Sequence, residues 1–175
     1  FTSLSEVRTE GTDMTIVTRY VGTLKARGLP ARAEDVKVAY LSTYPPRECG
    51  IATFCEDLMQ ATRGGRTSPE PIVIAMEGGA RYHRYSRPVV HVVDDRNEKD
   101  YQAAAEFIND SPADVVSIQH EFGIYGGLEG RGIYPFLDAL RKPVVTNLHT
   151  VLPEPDQKTR DMVRALAEKS ERVMV

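Results

Sequence analysis

The stretch Val36-Lys37-Val38-Ala39-Tyr40-Leu41-Ser42, followed by Thr43-Tyr44-Pro45-Pro46-Arg47-Glu48-Cys49-Gly50 and then Ile51-Ala52-Thr53-Phe54-Cys55-Glu56, decides the fold. Its first seven residues are mostly apolar and do not alternate with polar ones, the pattern of a strand covered on both faces. Two prolines and a glycine then break the chain. Thr53, with Glu56 three residues on, is a capping-box signal for the start of a helix. The same unit recurs along the sequence. Short apolar runs stand at 71–76, 89–93, 114–119, 143–148 and 172–175. Between them lie helical patterns: one over 98–109 behind Asn97, a weaker one over 133–140 whose start is crowded by Gly130, Gly132 and Pro135, and one over 157–169 behind Asp156. Strands alternating with helices at this spacing predict an α/β fold, a Rossmann-like doubly wound parallel sheet of about six strands with helices on both faces and right-handed crossovers.

Residues 1–35 have a different character. Met14, Val17, Tyr20, Val21 and Leu24 recur at helical spacing and give way to Gly28, Leu29 and Pro30, so an N-terminal amphipathic helix and linker are expected to precede a domain over 36–175. The basic residues of that helix are Arg19, Lys25 and Arg27, and packing against the domain or a partner is its expected role. The last apolar run stops at Val175 just after an amphipathic helix, which leads us to expect that the parent protein continues and that this is its first half.

Composition narrows the function. Of 175 residues, 41% are hydrophobic and 27% charged, enough to build and cover one core. Twenty-two Lys and Arg against 25 Asp and Glu leave a net charge of −3, without the basic footprint that holds phosphate backbones, so nucleic acid is not an expected partner. No apolar run reaches the length needed to cross a bilayer and no signal-peptide pattern opens the chain, which makes the cytoplasm the expected location. Cys49 and Cys55 match neither a C-x-x-C pair nor a zinc knuckle and read as reduced thiols.

In a doubly wound sheet, ligands bind beyond the carboxyl ends of the strands where strand order reverses, here expected between the first strand and the fourth. Three polar segments fall at such ends. The turn at Gly50 leads into a helix whose first N–H groups and positive dipole end suit a phosphate or carboxylate; the bland reading is an ordinary strand-to-helix turn. It has neither G-x-G-x-x-G nor G-x-x-x-x-G-K-[ST], which removes the main support for dinucleotide or nucleoside-triphosphate binding. Gln119-His120-Glu121 ends the fourth run ahead of a glycine-rich loop; polar side chains there must face a crevice or one another, or His120 simply caps local backbone groups. Thr146-Asn147-Leu148-His149-Thr150 ends the fifth, where a His can orient a sugar hydroxyl, accept its proton or stabilise developing charge. His120, Glu121 and His149 could together ligate a metal for hydrolysis, but no Cys or Asp completes the set, and no metal is expected. His83, among Arg81, Arg84 and Arg87, reads as part of a solvated face, and His91 as a core His.

Lys37-Val38-Ala39-Tyr40-Leu41-Ser42-Thr43-Tyr44-Pro45-Pro46, Cys49-Gly50-Ile51-Ala52-Thr53-Phe54, Ile118-Gln119-His120-Glu121-Phe122-Gly123-Ile124-Tyr125-Gly126-Gly127 and Pro143-Val144-Val145-Thr146-Asn147-Leu148-His149-Thr150 resemble the N-terminal domain of a group 1 (family 4) glycosyltransferase of the GT-B fold. The resemblance covers about 36–175, and Gln-His-Glu-Phe-Gly is its most specific part. It implies retaining transfer of a sugar from a nucleotide-sugar donor to a sugar, lipid or small-molecule acceptor, without a further cofactor, in a cleft between two Rossmann-like domains. Carried across, Gly50 and Ile51 offer backbone N–H groups to the donor pyrophosphate, His149 contacts the transferred sugar and is the catalytic candidate, and Gln119, His120 and Glu121 line the acceptor side. Where the family usually has Gly-Gly in the first loop, this chain has Cys49-Gly50. The resemblance further implies a C-terminal donor-side domain as partner, a chain inactive on its own, and, with lipid acceptors, contact at a membrane surface. The competing reading is a non-catalytic Rossmann-like domain that binds a small anion or a protein partner.

Overall fold

The computed structural model describes residues 36–63, 70–79 and 83–175. The helix expected in the first 35 residues, and Arg81, lie outside the described residues. The element order is β1 (Val38–Ser42), α1 (Gly50–Thr62), β2 (Ile72–Glu77), β3 (Val89–Asp94), α2 (Glu98–Asp110), β4 (Val115–His120), two 3-10 turns (Phe122–Ile124 and Leu128–Ile133), α3 (Tyr134–Ala139), β5 (Val144–Leu148), α4 (Gln157–Lys169) and β6 (Arg172–Met174). The six strands form one all-parallel sheet in the order β3-β2-β1-β4-β5-β6, so the expected Rossmann-like α/β architecture is what the chain adopts. From β1 the chain steps outward to β2 and β3, then returns to lay β4 on the other side of β1. The topological switch point therefore lies between β1 and β4.

Strand periodicity assigns each side chain to a face. Ala39, Leu41, Ile74, Met76, Val116 and Ile118 form the larger core with Tyr101 and Ile108 of α2, Phe136 of α3, and Met162 and Leu166 of α4. Tyr40, Val73 and Ala75 face the other way and pack on Cys55 and Met59 of α1. Each large side chain removed from water here contributes about 1.5–3 kcal/mol, so the bulk of the stability lies on the face carrying three helices. Two helix starts carry side-chain caps. Asn97 accepts from the Lys99 N–H, and Asp156 accepts from the Thr159 N–H at 2.8 Å, each satisfying a donor that the helix cannot use.

The structure departs from the sequence reading in four places. Helix α1 starts at Gly50, not at Thr53: the Cys49 carbonyl already accepts from Ala52 and Thr53, and no side chain caps the start. The helix begins as soon as the chain clears the two prolines, and Thr53 falls inside its first turn. β3 alternates half-buried with exposed positions over its first four residues before Val93 enters the core, and β6 is exposed throughout, because both are edge strands with a neighbour on one side only. His91 is half-buried on that edge, its ring stacked 5.8 Å from Phe107 of α2, and not a core residue. His83 is not simply solvated. Its Nδ1 lies 2.7 Å from Oε1 of Glu77, a buried carboxylate at the end of β2 to which Tyr85 also donates.

Candidate functional site

Three segments meet at the carboxyl end of the sheet around the switch point. The first is the start of α1, where the N–H groups of Gly50 and Ile51 make no hydrogen bond with any described residue. These are among the donors every helix start leaves over, and the helix dipole adds to their pull on an anion. A Cβ built on Gly50 would meet nothing within 4 Å, so among the described residues no packing need calls for a glycine there and the approach stays open. Four residues on, the Phe54 ring stands edge-on to His149, with centroids 4.8 Å apart. The first turn of α1 and the end of β5 are thereby held against each other.

The second and third segments are the ends of β4 and β5, paired in register with Gln119 beside Asn147. Pairing continues one step past the strands, where the His149 N–H donates to the His120 carbonyl at 2.9 Å. Gln119 points to the α1 side with Ser117, and its Nε2 donates to Ser117 Oγ at 2.9 Å. Its Oε1 receives the Asn147 amide at 3.2 Å and lies 3.0 Å from His149 Nε2. Glu121 lies one residue past the end of β4: Oε1 accepts from its own neighbour Phe122 N–H, and Oε2 accepts from the Thr150 hydroxyl at 2.5 Å. That bond ties the two loops together and fixes the carboxylate beside His149.

His120 points to the opposite face of the sheet, as strand alternation requires. It is fully buried, stacked on Tyr125 at 5.6 Å with the rings 7° from parallel, and edge-on to Phe122. Neither ring nitrogen has a hydrogen-bond partner among the described residues. Burial pulls its pKa from the ordinary 6.5 down to about 4, and His149 nearby adds to the shift. Burial also lowers the pKa of His149, with the Glu121 charge opposing. His120 is therefore neutral at pH 7, and burial biases His149 toward its neutral form.

The sequence-predicted residues therefore separate into two groups. Gly50, Ile51, His149 and Glu121 stand at the crevice with surface to offer, whereas Gln119 and His120 have none and support the site from beneath. His120 is stacked in the core on Tyr125, away from the crevice, and among the described residues no group of three or more His, Cys, Asp or Glu stands where it could hold a metal ion. Sequence reasoning missed Phe54, whose only signal is an aromatic one turn into α1, and Ser117, a lone hydroxyl inside an apolar strand. It also missed Glu77, a carboxylate ending the second apolar run that holds His83 and Tyr85 next to the loop after β1, where Arg47 donates to the Met76 carbonyl at 3.2 Å. No described helix is long and apolar enough to cross a membrane.

Among known proteins, no family model, no curated protein and no solved structure matches this chain.

Proposed function

We propose that this domain is the acceptor-side half of a retaining glycosyltransferase that moves a sugar from a nucleotide-sugar donor to an acceptor hydroxyl. The observation that carries the reading is the meeting of the open α1 N-terminus with His149 at the β1/β4 switch point, across the Phe54 ring. An anion-binding helix end beside a neutral imidazole is what a glycosyl diphosphate needs. Gly50 and Ile51 hold the diphosphate through backbone N–H groups, and the dipole of α1 favours the charge it gains as the sugar departs. His149 contacts the sugar hydroxyls, and Glu121 with Thr150 borders the acceptor side. The donor-side domain implied by the resemblance supplies the other wall of the cleft. Without it, donor and acceptor are not held together and the effective molarity behind turnover is lost.

The test is product mass spectrometry over a panel of nucleotide sugars and hydroxyl acceptors, run on this chain alone and on the polypeptide that joins it to the donor-side domain. Sugar transfer by the joined protein and no product above buffer from the chain alone are expected. Sustained turnover by the 175-residue chain refutes the two-domain reading, and absence of transfer from the joined protein across the panel refutes the assignment itself.

A further inference from the structure

Gln119 is expected from the sequence to touch an acceptor, yet it has no exposed surface, and its amide oxygen lies 3.0 Å from Nε2 of His149. We propose that Gln119 is a positioning residue that holds His149 in its Nε2–H tautomer, so that Nδ1 is the basic nitrogen offered to a hydroxyl-bearing ligand.

The direction of every bond in the network follows from one fixed point. A primary amide has one acceptor end and one donor end. The donor end of Gln119 is used downward on Ser117 Oγ at 2.9 Å, and the acceptor end receives the Asn147 Nδ2–H at 3.2 Å. The oxygen is thus the atom that faces His149 Nε2 at 3.0 Å. A lone pair on Nε2 would oppose the lone pairs of that oxygen, whereas a proton there completes a hydrogen bond. Asn147 Nδ2 stands 3.5 Å from the same nitrogen, so its second N–H is a weak competitor beside the 3.0 Å contact with the Gln119 oxygen. The proton therefore resides on Nε2. No described residue hydrogen-bonds to Nδ1, and its lone pair is free. Turning the amide over would set its NH2 against the Asn147 NH2, so a swap requires both amides to flip in the buried layer.

The ring is held from its other sides as well. The Phe54 edge fixes its plane, the His149 backbone N–H is bonded to the His120 carbonyl, and the Glu121 carboxylate is tied to Thr150. The ionisable groups whose charge state bears on His149 are thus Glu121 and, through the sheet, the neutral His120. In this arrangement the tautomer is set by a buried neutral amide, a role that second-layer partners commonly take for functional histidines. The chemical consequence rests on the sugar-transfer reading: a hydroxyl of the sugar or the acceptor donates to Nδ1.

The experiment is nitrogen NMR of the full 175-residue chain labelled at histidine, in wild type, Gln119→Met and Gln119→Glu. The wild type is expected to hold the Nε2–H form of His149 over the Nδ1–H form by about tenfold or more. Removing the acceptor in Gln119→Met should lower that ratio about fivefold, the worth of one neutral hydrogen bond. Gln119→Glu keeps an acceptor and adds a charge, so the ratio should persist while the His149 pKa rises by about one unit or more. A wild-type ring protonated mainly on Nδ1, a ratio that does not respond to Gln119→Met in a folded variant, or a His149 pKa unmoved in Gln119→Glu each overturns the proposal. If Gln119→Met does not fold, the wild-type and Gln119→Glu spectra still decide. None of these readouts needs a donor or acceptor. Failure of sugar transfer with the expected spectra refutes the function and leaves the positioning role standing.

Discussion

Replacing His120 by leucine should remove an acid sensitivity built into the core. The imidazole is fully buried and both ring nitrogens lack partners among the described residues, so the neutral ring already brings a donor and an acceptor into apolar surroundings at about 1–3 kcal/mol each. Leucine is of similar volume, and what it forfeits is the ring contacts with Tyr125 and Phe122, about 0.5–1.5 kcal/mol each. At pH 7.5 the mid-range of these opposing terms leaves the variant more stable by about 2 kcal/mol. The larger effect comes with acid. The folded pKa is depressed from 6.5 to about 4, so the unfolded chain takes up a proton first as pH falls. Stability from this group is complete above 6.5 and is lost as pH drops through the window down to about 4. At 1.36 kcal/mol per pH unit the loss amounts to about 2 kcal/mol by pH 5 and about 3 kcal/mol below pH 4. His91 and His149, whose pKa values are also lowered by burial, destabilise in the same direction in both proteins and cancel in the comparison to first order. Urea melts of both proteins between pH 8 and 4.5 give the difference directly. Curves that run parallel across pH 6.5 to 4.5 would refute the burial of a neutral, unpartnered imidazole at this position.

The architecture is legible in the sequence because it depends on hydrophobic period alone. Continuous apolar runs such as 71–76 read as strands of a covered sheet, and Asn97 and Asp156 cap the helices that they precede. What the period does not carry is which way each polar residue at a strand end points. Gln119, His120 and Glu121 read as one cluster, but consecutive strand residues face opposite sides, so the first joins the Ser117–Asn147–His149 network and the second enters the core on Tyr125. Register is the missing information, since the partner of Gln119 is Asn147, 28 residues away. Edge position was equally hidden. His91 lies in a run as apolar as the others, and only the sheet order shows that β3 has no neighbour on one side. His83 was misjudged for a related reason: the arginines around it suggested solvent, while its partner Glu77 is set by the end of another strand.

In the joined protein, His149→Ala should lower turnover by about 100-fold or more while costing about 1 kcal/mol of stability, since it removes one neutral hydrogen bond and a half-buried ring; near-normal turnover in steady-state assays would contradict a catalytic role. Gly50→Val should leave the melting curve nearly unchanged, because a Cβ there meets nothing within 4 Å, yet should weaken donor binding by about tenfold or more, as branches at the helix start hold the diphosphate off the N–H groups. Unchanged donor affinity in calorimetric titration would make that glycine irrelevant to phosphate. Gly126→Ala separates scaffold from site. Gly126 has φ +61°, and a Cβ on it would stand 2.1 Å from the Asp95 backbone carbonyl oxygen, a position that neither atom can leave without moving the turn after β3 or the loop after β4. The left-handed backbone adds its own penalty for any side chain. With main chain on one side of the clash, no rotamer change relieves it, and the loss should reach about 3 kcal/mol or more in chemical denaturation. A loss under about 1 kcal/mol would mean that the loop over His120 yields freely, and the burial of that ring would then no longer be a fixed feature of the fold.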